Sequence, residues 1–184
     1  MAGHHLIMGQ LTDFLSGEIL LDTHDERLRQ KIARFLVAEK GFAKRDIQAH
    51  QPLIVAAGSR KGRLWVDFTV VVDGHTAMVV KYAPGSMVTR YRPSLAVSRL
   101  IAPYQVAVVV VTNGESADIL DGLTGKLTAS GLEGIPSRES LLARLARSTF
   151  ASISPKQAEM EARILYAFEI DGSCPCDDSA CRIE

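Results

Sequence analysis

Leu64-Trp65-Val66-Asp67-Phe68-Thr69-Val70-Val71-Val72-Asp73-Gly74-His75-Thr76-Ala77-Met78-Val79-Val80-Lys81 contains two runs rich in β-branched residues, Leu64 to Val72 and Thr76 to Lys81, joined at Asp73-Gly74. An Asp-Gly dipeptide between such runs favours a type I′ turn, so the two runs read as an antiparallel hairpin. A third run, Pro52 to Ala57, precedes them across Gly58-Ser59-Arg60-Lys61-Gly62. Two residues break the apolar pattern. Asp67 sits in the middle of one strand, where a carboxylate costs several kcal/mol unless it is paired or hydrogen-bonded. It is therefore either part of a site or half of a structural ion pair. Lys81 is the natural partner, because Val79 and Lys81 share a strand face by the period-two rule.

On the N-terminal side, Thr23 with Glu26 three residues on forms a capping box, and Leu28, Ile32, Phe35 and Leu36 repeat at helical spacing. Gly41 closes this helix of about residues 24 to 40. Residues 1–22 fit no single period and read as a packed N-terminal arm. On the C-terminal side, residues 94–103 show a short helical pattern after Pro93, and Val106 to Val111 is a continuous β-branched run of the kind found in a covered central strand. Asp121-Gly122 and Thr124-Gly125 mark turns around short edge strands. Ser137 to Phe150 and Ser154 to Phe168 read as serine-initiated helices, the second with Pro155 at its first position. The expected fold is an α/β sandwich with a central mixed sheet flanked by helices. Its divisions are an arm (1–22), the α/β domain (23–150), a C-terminal helix (151–170) and an acidic, cysteine-containing tail (171–184).

Lys+Arg and Asp+Glu are both 21, which excludes capture of nucleic acid or membrane by bulk charge. The balance is local. Residues 60–92 hold six Lys/Arg against two Asp, whereas residues 159–184 hold seven Asp/Glu against two Arg, which reads as two opposite faces. Arg90, Tyr91 and Arg92, with Arg99 one helix face beyond and Arg60, Lys61 and Arg63 in the earlier loop, have the composition of a phosphate-contacting strip. The competing reading is an ordinary charged loop. No apolar stretch approaches the roughly 20 residues of a membrane helix, and the expectation is a soluble, cytoplasmic chain without membrane contact. All cysteines fall in the tail, as Cys174, Cys176 and Cys181. Structural zinc normally takes four ligands, so zinc or iron there would need a ligand from elsewhere, such as a second subunit of a homo-oligomer. The simpler reading is an acidic tail with exposed thiols.

Helix, three strands, helix, strand, with Asp67 in the second strand and Lys81 ending the third, resembles the restriction-endonuclease-like αβββαβ core of the PD-(D/E)XK nuclease superfamily. The closer resemblance is to the N-terminal domain of the type I restriction enzyme R subunit. It is carried by Glu26-Arg27-Leu28-Arg29-Gln30, Glu39-Lys40-Gly41-Phe42, Val66-Asp67-Phe68, Ala83-Pro84 and Val110-Val111-Thr112-Asn113-Gly114. The resemblance implies Mg²⁺ held by Asp67 and a second carboxylate, with Lys81 helping to activate the attacking water. Aligning Lys81 with the family lysine puts Val79 at the acid. Aligning Ala83-Pro84 instead puts Val80 at the acid and Tyr82 at the lysine. Both registers lack the second carboxylate, which Glu26 would supply if the acid has moved to the first helix. Arg29 and Gln30 beside it read as solvated.

Two functions are expected from this reading. The first is a nuclease-fold module that binds nucleic acid or serves as a scaffold without cutting. The second is a Mg²⁺-dependent endonuclease using Asp67, Lys81 and Glu26. A protein-interaction domain without nucleic acid is a third.

Overall fold

The computed structural model describes residues 7–171 and 180–183. The N-terminal arm is a small hairpin of β1 (Gln10–Thr12) and β2 (Ile19–Leu21). It leads into α1 (His24–Ala38), whose N-cap Thr23 accepts the Glu26 N–H in its side chain at 3.1 Å. Gly41 ends the helical path with φ +74°, and Phe42 N–H reaches back to Leu36 O at 3.2 Å. Three strands follow: β3 (Ile47–Ala57), β4 (Arg60–Val72) and β5 (His75–Tyr82). Asp73 and Gly74 both have positive φ, 52° and 74°, as the expected turn between β4 and β5 requires.

The second helix, α2 (Tyr91–Leu100), begins earlier than its sequence pattern suggested and contains Pro93 in its first turn. Proline is tolerated there because the first N–H groups of a helix have no intrahelical acceptor. Next come β6 (Val108–Thr112), β7 (Ala117–Asp121) and β8 (Leu127–Ser130). The third helix, α3 (Arg138–Leu145), stops short of Phe150, which takes φ +47° and stacks on His75 with ring centroids 4.4 Å apart. The fourth, α4 (Pro155–Leu165), is capped by Ser154 and widens into a π-helical turn at Tyr166–Ile170. The end of the expected tail is a strand, β9 (Ala180–Ile183).

Among the described residues, the main sheet has seven strands in the order β3-β4-β5-β6-β7-β8, with β9 also on β4. Among the described strands, only β5 and β6 pair in parallel. α1 and α3 cover one cluster, built on Ile32, Leu36, Phe68, Val70, Met78, Val80, Val110 and Leu141. α2 and α4 cover another, built on Leu64, Val66, Val79, Val97, Leu165 and Tyr166. This is the expected αβββαβ core in the chain order α1, β3, β4, β5, α2, β6.

The pairing of β4 positions the site. β4 has 13 residues and is paired with β3 from Arg60 to Val70 except at Asp67, but its other edge is shared. β9 takes Lys61–Leu64 and β5 takes Phe68–Val72. Trp65, Val66 and Asp67 lie in the gap between them, so the sheet forks at Asp67. Even-numbered residues of β4 change cluster at this point, Leu64 and Val66 joining the α2/α4 side and Phe68 and Val70 the α1/α3 side. The long hairpin therefore bends at the fork. Across from Asp67 on β3, His50 has φ +50° and drops out of the ladder between the pairs Ala49/Phe68 and Gln51/Val66.

Candidate functional site

The β4/β5 register runs through Thr69/Val79 and Phe68/Val80, which sets Asp67 opposite Lys81 one position beyond the last rung. Both are buried, at 6% and 9% exposure, and Lys81 Nζ stands 3.3 Å from Asp67 Oδ2. The ladder hydrogen bond missing at the fork is replaced by a side chain, because Tyr82 N–H donates to Asp67 Oδ2 at 3.0 Å. Lys81 Nζ also donates to Trp65 O at 3.4 Å.

The gap admits a cation from α1. Arg29 Nε donates to Asp67 Oδ1 at 2.7 Å, and its Nη1 lies 3.6 Å from Glu26 Oε2. The guanidinium thus bridges Glu26 and Asp67, with its Cζ 5.4 Å from the Tyr82 ring centroid. The Glu26 carboxylate accepts from Gln30 Nε2 at 2.8 Å and has His50 Nε2 at 3.9 Å, so it is spent on the site and not on the capping box. Gln30 in turn donates to Asp13 at 2.6 Å and accepts the Phe14 N–H at 2.7 Å, tying the N-terminal hairpin to α1. Arg29 and Gln30, expected as solvated, are structural centres of the site.

From the other end comes Glu169, on the π-helical turn, a residue the sequence reading did not single out. Its carboxylate lies 3.8 Å from Lys81 Nζ and 3.3 Å from Arg90 Nη1. Burial would push Asp67 up, but Lys81, Arg29 and the Tyr82 N–H together hold it below the usual carboxylate range. Burial opposes the charge on Lys81 too, and Asp67 and Glu169 outweigh it and raise its pKa. Tyr82 is pushed up to about 12 by burial and by Asp25, whose carboxylate accepts its hydroxyl at 3.1 Å.

These contacts decide how the carboxylates suit a divalent ion. Mg²⁺ needs carboxylate oxygens free to ligate it at short range. Both oxygens of Asp67 already accept from Arg29, Lys81 or Tyr82, and the Glu26 oxygens face Gln30, Arg29 and His50. Val79, two residues before Lys81, is fully buried among apolar side chains. As arranged, this donor set does not fit Mg²⁺, and no group of three His, Cys, Asp or Glu suited to a metal occurs among the described residues.

The basic strip and the acidic segment are not opposite faces, as the sequence suggested; they pack together. Glu161, buried on α4, accepts from Arg92 at 2.5 Å and Arg99 at 2.7 Å. Asp171 holds Arg60 and Arg182 at 3.0 and 2.9 Å. Three carboxylates, Glu161, Glu169 and Asp171, thus meet six cations, and Arg60, Arg90 and Arg92 keep between 41% and 59% of their side chains exposed. Tyr91 donates its hydroxyl to Asp118 at 2.6 Å, Arg63 lies over Trp65, and Lys61 is exposed. Cys174 and Cys176 lie outside the described residues; Cys181 is a free, exposed thiol on β9.

An αβββαβ sandwich whose sheet forks around a buried Asp–Lys pair defines a restriction-endonuclease-like α/β protein. The chain belongs to the family described as the type I restriction enzyme R protein N terminus, whose model matches residues 24–136, more than half of the chain. Comparisons with curated proteins and with solved structures gave no match. None of the described helices is long and apolar enough to cross a membrane.

Proposed function

We propose that this chain is a nuclease-fold module that holds nucleic acid by its phosphates and does not cut it. The observation that carries the reading is Arg29, whose guanidinium lies between Glu26 and Asp67, where a divalent ion would have to bridge them. A fixed cation there occupies both carboxylates and, with Lys81 on Asp67, opposes the ligand set for the metal that phosphodiester cleavage in this superfamily uses. Lys81 is held between Asp67 and Glu169, a structural role that does not require catalysis. The half-exposed Arg60, Arg90 and Arg92, with Lys61 and Arg63, supply the phosphate contacts, because each carboxylate facing them is shared between two cations.

A second reading, a metal-dependent endonuclease, is favoured by one feature: Asp67, Lys81 and two further carboxylates, Glu26 and Glu169, converge on the same fork. It requires Arg29 to leave before a metal enters. Fluorescence anisotropy with a labelled oligonucleotide over a salt series tests the first reading. Affinity should fall linearly in log–log form, with a slope of about −0.9 per phosphate neutralised on duplex DNA. Absence of salt-sensitive binding at low ionic strength would favour a protein-interaction module instead.

A further inference from the structure

The chain of pairs at the fork runs on past it in both directions. It starts at Arg90 and passes through Glu169, Lys81, Asp67, Arg29 and Glu26 to Gln30. Gln30 is also part of the wall of a groove of about 360 Å³ between α1 and the N-terminal hairpin. Leu11, Thr12 and Asp22 form the hairpin side, and Arg27, Lys31 and Arg34 form the helix side. This hairpin precedes the segment matched by the family, so the groove is closed by residues outside that match.

The three cations follow i, i+4, i+7 spacing, which aligns them along one face of α1. From Arg27 to Arg34 they span about 10.5 Å at 1.5 Å per residue, long enough to meet more than one phosphate of a strand. Two of the cations are held in place. Asp22 grips Arg27 through Nε and Nη2 at 2.6 and 2.7 Å, and the Arg34 guanidinium lies 4.7 Å from the Phe14 ring centroid. Lys31, between them, has no carboxylate partner among the described residues. The groove therefore carries three cations against one acid, Asp22, which pairs with Arg27 and leaves Lys31 and Arg34 without a carboxylate among the described residues.

We infer that this groove is a second phosphate-binding track, which seats the backbone of a single nucleic-acid strand and leads it toward the fork. The inference rests on the nucleic-acid reading above. A fixed Arg34 loses little freedom on meeting a phosphate, and Lys31 gains a partner that the described residues do not give it. Leu11 adds an apolar contact on the hairpin side that suits the sugar edge of a strand. A single strand suits the groove because its three cations form one line along α1 and so meet one backbone.

The test is anisotropy of a fluorescein-labelled single-stranded oligonucleotide with the full chain, over a salt series, for wild type, Lys31→Glu, Arg34→Ala and a control, Lys126→Ala, on an exposed lysine elsewhere. Lys31 is exposed, so Lys31→Glu should fold normally, which circular dichroism checks. Lys31→Glu should weaken binding at least tenfold, and Arg34→Ala should reduce the salt slope by about 0.7, with Lys126→Ala unchanged. Wild-type affinity and slope in folded Lys31→Glu would overturn the track while leaving the nucleic-acid reading intact. Failure of the wild type itself to bind would overturn both. Displacement of the strand by poly-glutamate of equal length as readily as by unlabelled oligonucleotide would also overturn it, since the groove would then read carboxylates and not a phosphate backbone.

Discussion

Asp67 and Lys81 face each other across the fork with 3.3 Å between Oδ2 and Nζ, one position beyond the last hydrogen-bonded rung of β4 and β5. Removing one partner of a buried pair typically costs about 3–5 kcal/mol, because the other charge is left uncompensated. Asp67→Asn removes the carboxylate that Arg29 and Lys81 share, leaving them only Glu26 and Glu169 at the longer distances of 3.6 and 3.8 Å, and should fall toward the lower end of that range, as read by urea unfolding. Lys81→Met leaves Asp67 with Arg29 and should cost less. Equal costs for the two would show that Arg29 does not hold Asp67.

The pair also sets a pH dependence. Asp67 has a folded-state pKa below its ordinary value of 3.8, so its stabilisation is complete above that value and is lost as pH falls through the lower, folded-state pKa. The stability gap between wild type and Asp67→Asn should be constant near neutrality and should shrink only in acid below about pH 4. A gap that closes between pH 5 and 7 would assign the effect to a different group.

Arg29 makes the fork self-neutralising, and its removal should change how the protein responds to metal. In Arg29→Ala the carboxylates of Glu26 and Asp67 lose their bridging cation, and a divalent ion that binds only the folded state raises its melting temperature. Mn²⁺ should therefore raise the melting temperature of Arg29→Ala and leave that of the wild type unchanged. A wild-type shift of the same size would mean that metal already enters the fork.

Glu161 and Glu169 both bridge two cations but differ in burial. Glu161 is 2% exposed and is gripped by Arg92 and Arg99. Glu161→Ala leaves the two arginines facing each other and should cost about 3–5 kcal/mol. Arg92→Ala, which leaves Glu161 with Arg99, should cost less. Glu169→Gln should be milder still in urea unfolding, and it should strengthen oligonucleotide binding by freeing Arg90.

Gly122 gives a prediction independent of the fork. A Cβ there would come within 1.9 Å of Val106 O, a backbone atom that no rotamer change can move. Gly122→Ala should therefore destabilise toward the upper end of the about 1–3 kcal/mol typical of overpacking, measured by urea unfolding.

The fold was legible because its decisive signals are local. The Asp73-Gly74 turn, the Thr23 cap and the β-branched runs each specify their own element, and the order of elements does the rest. The Asp67–Lys81 pair was legible because a carboxylate in an apolar strand demands a partner, and the strand period offered one. Arg29 was not, since its partner is 38 residues away across the gap in the sheet. Neither was the meeting of the basic strip with the acidic segment, because charge totals along a chain do not say which segments touch. One signal was present: Glu161 and Glu169 interrupt the apolar stripe of Ala162, Leu165, Tyr166 and Ile170, the helical counterpart of Asp67 in its strand.

The central claim, phosphate binding without cleavage, is tested most directly by incubating supercoiled plasmid with the full chain in Mn²⁺ at low salt and resolving the products before and after deproteinisation. The expected result is plasmid retarded in a salt-reversible way and returned fully supercoiled once the protein is removed. Nicked or linear plasmid that appears with wild type and vanishes with Asp67→Ala would contradict it.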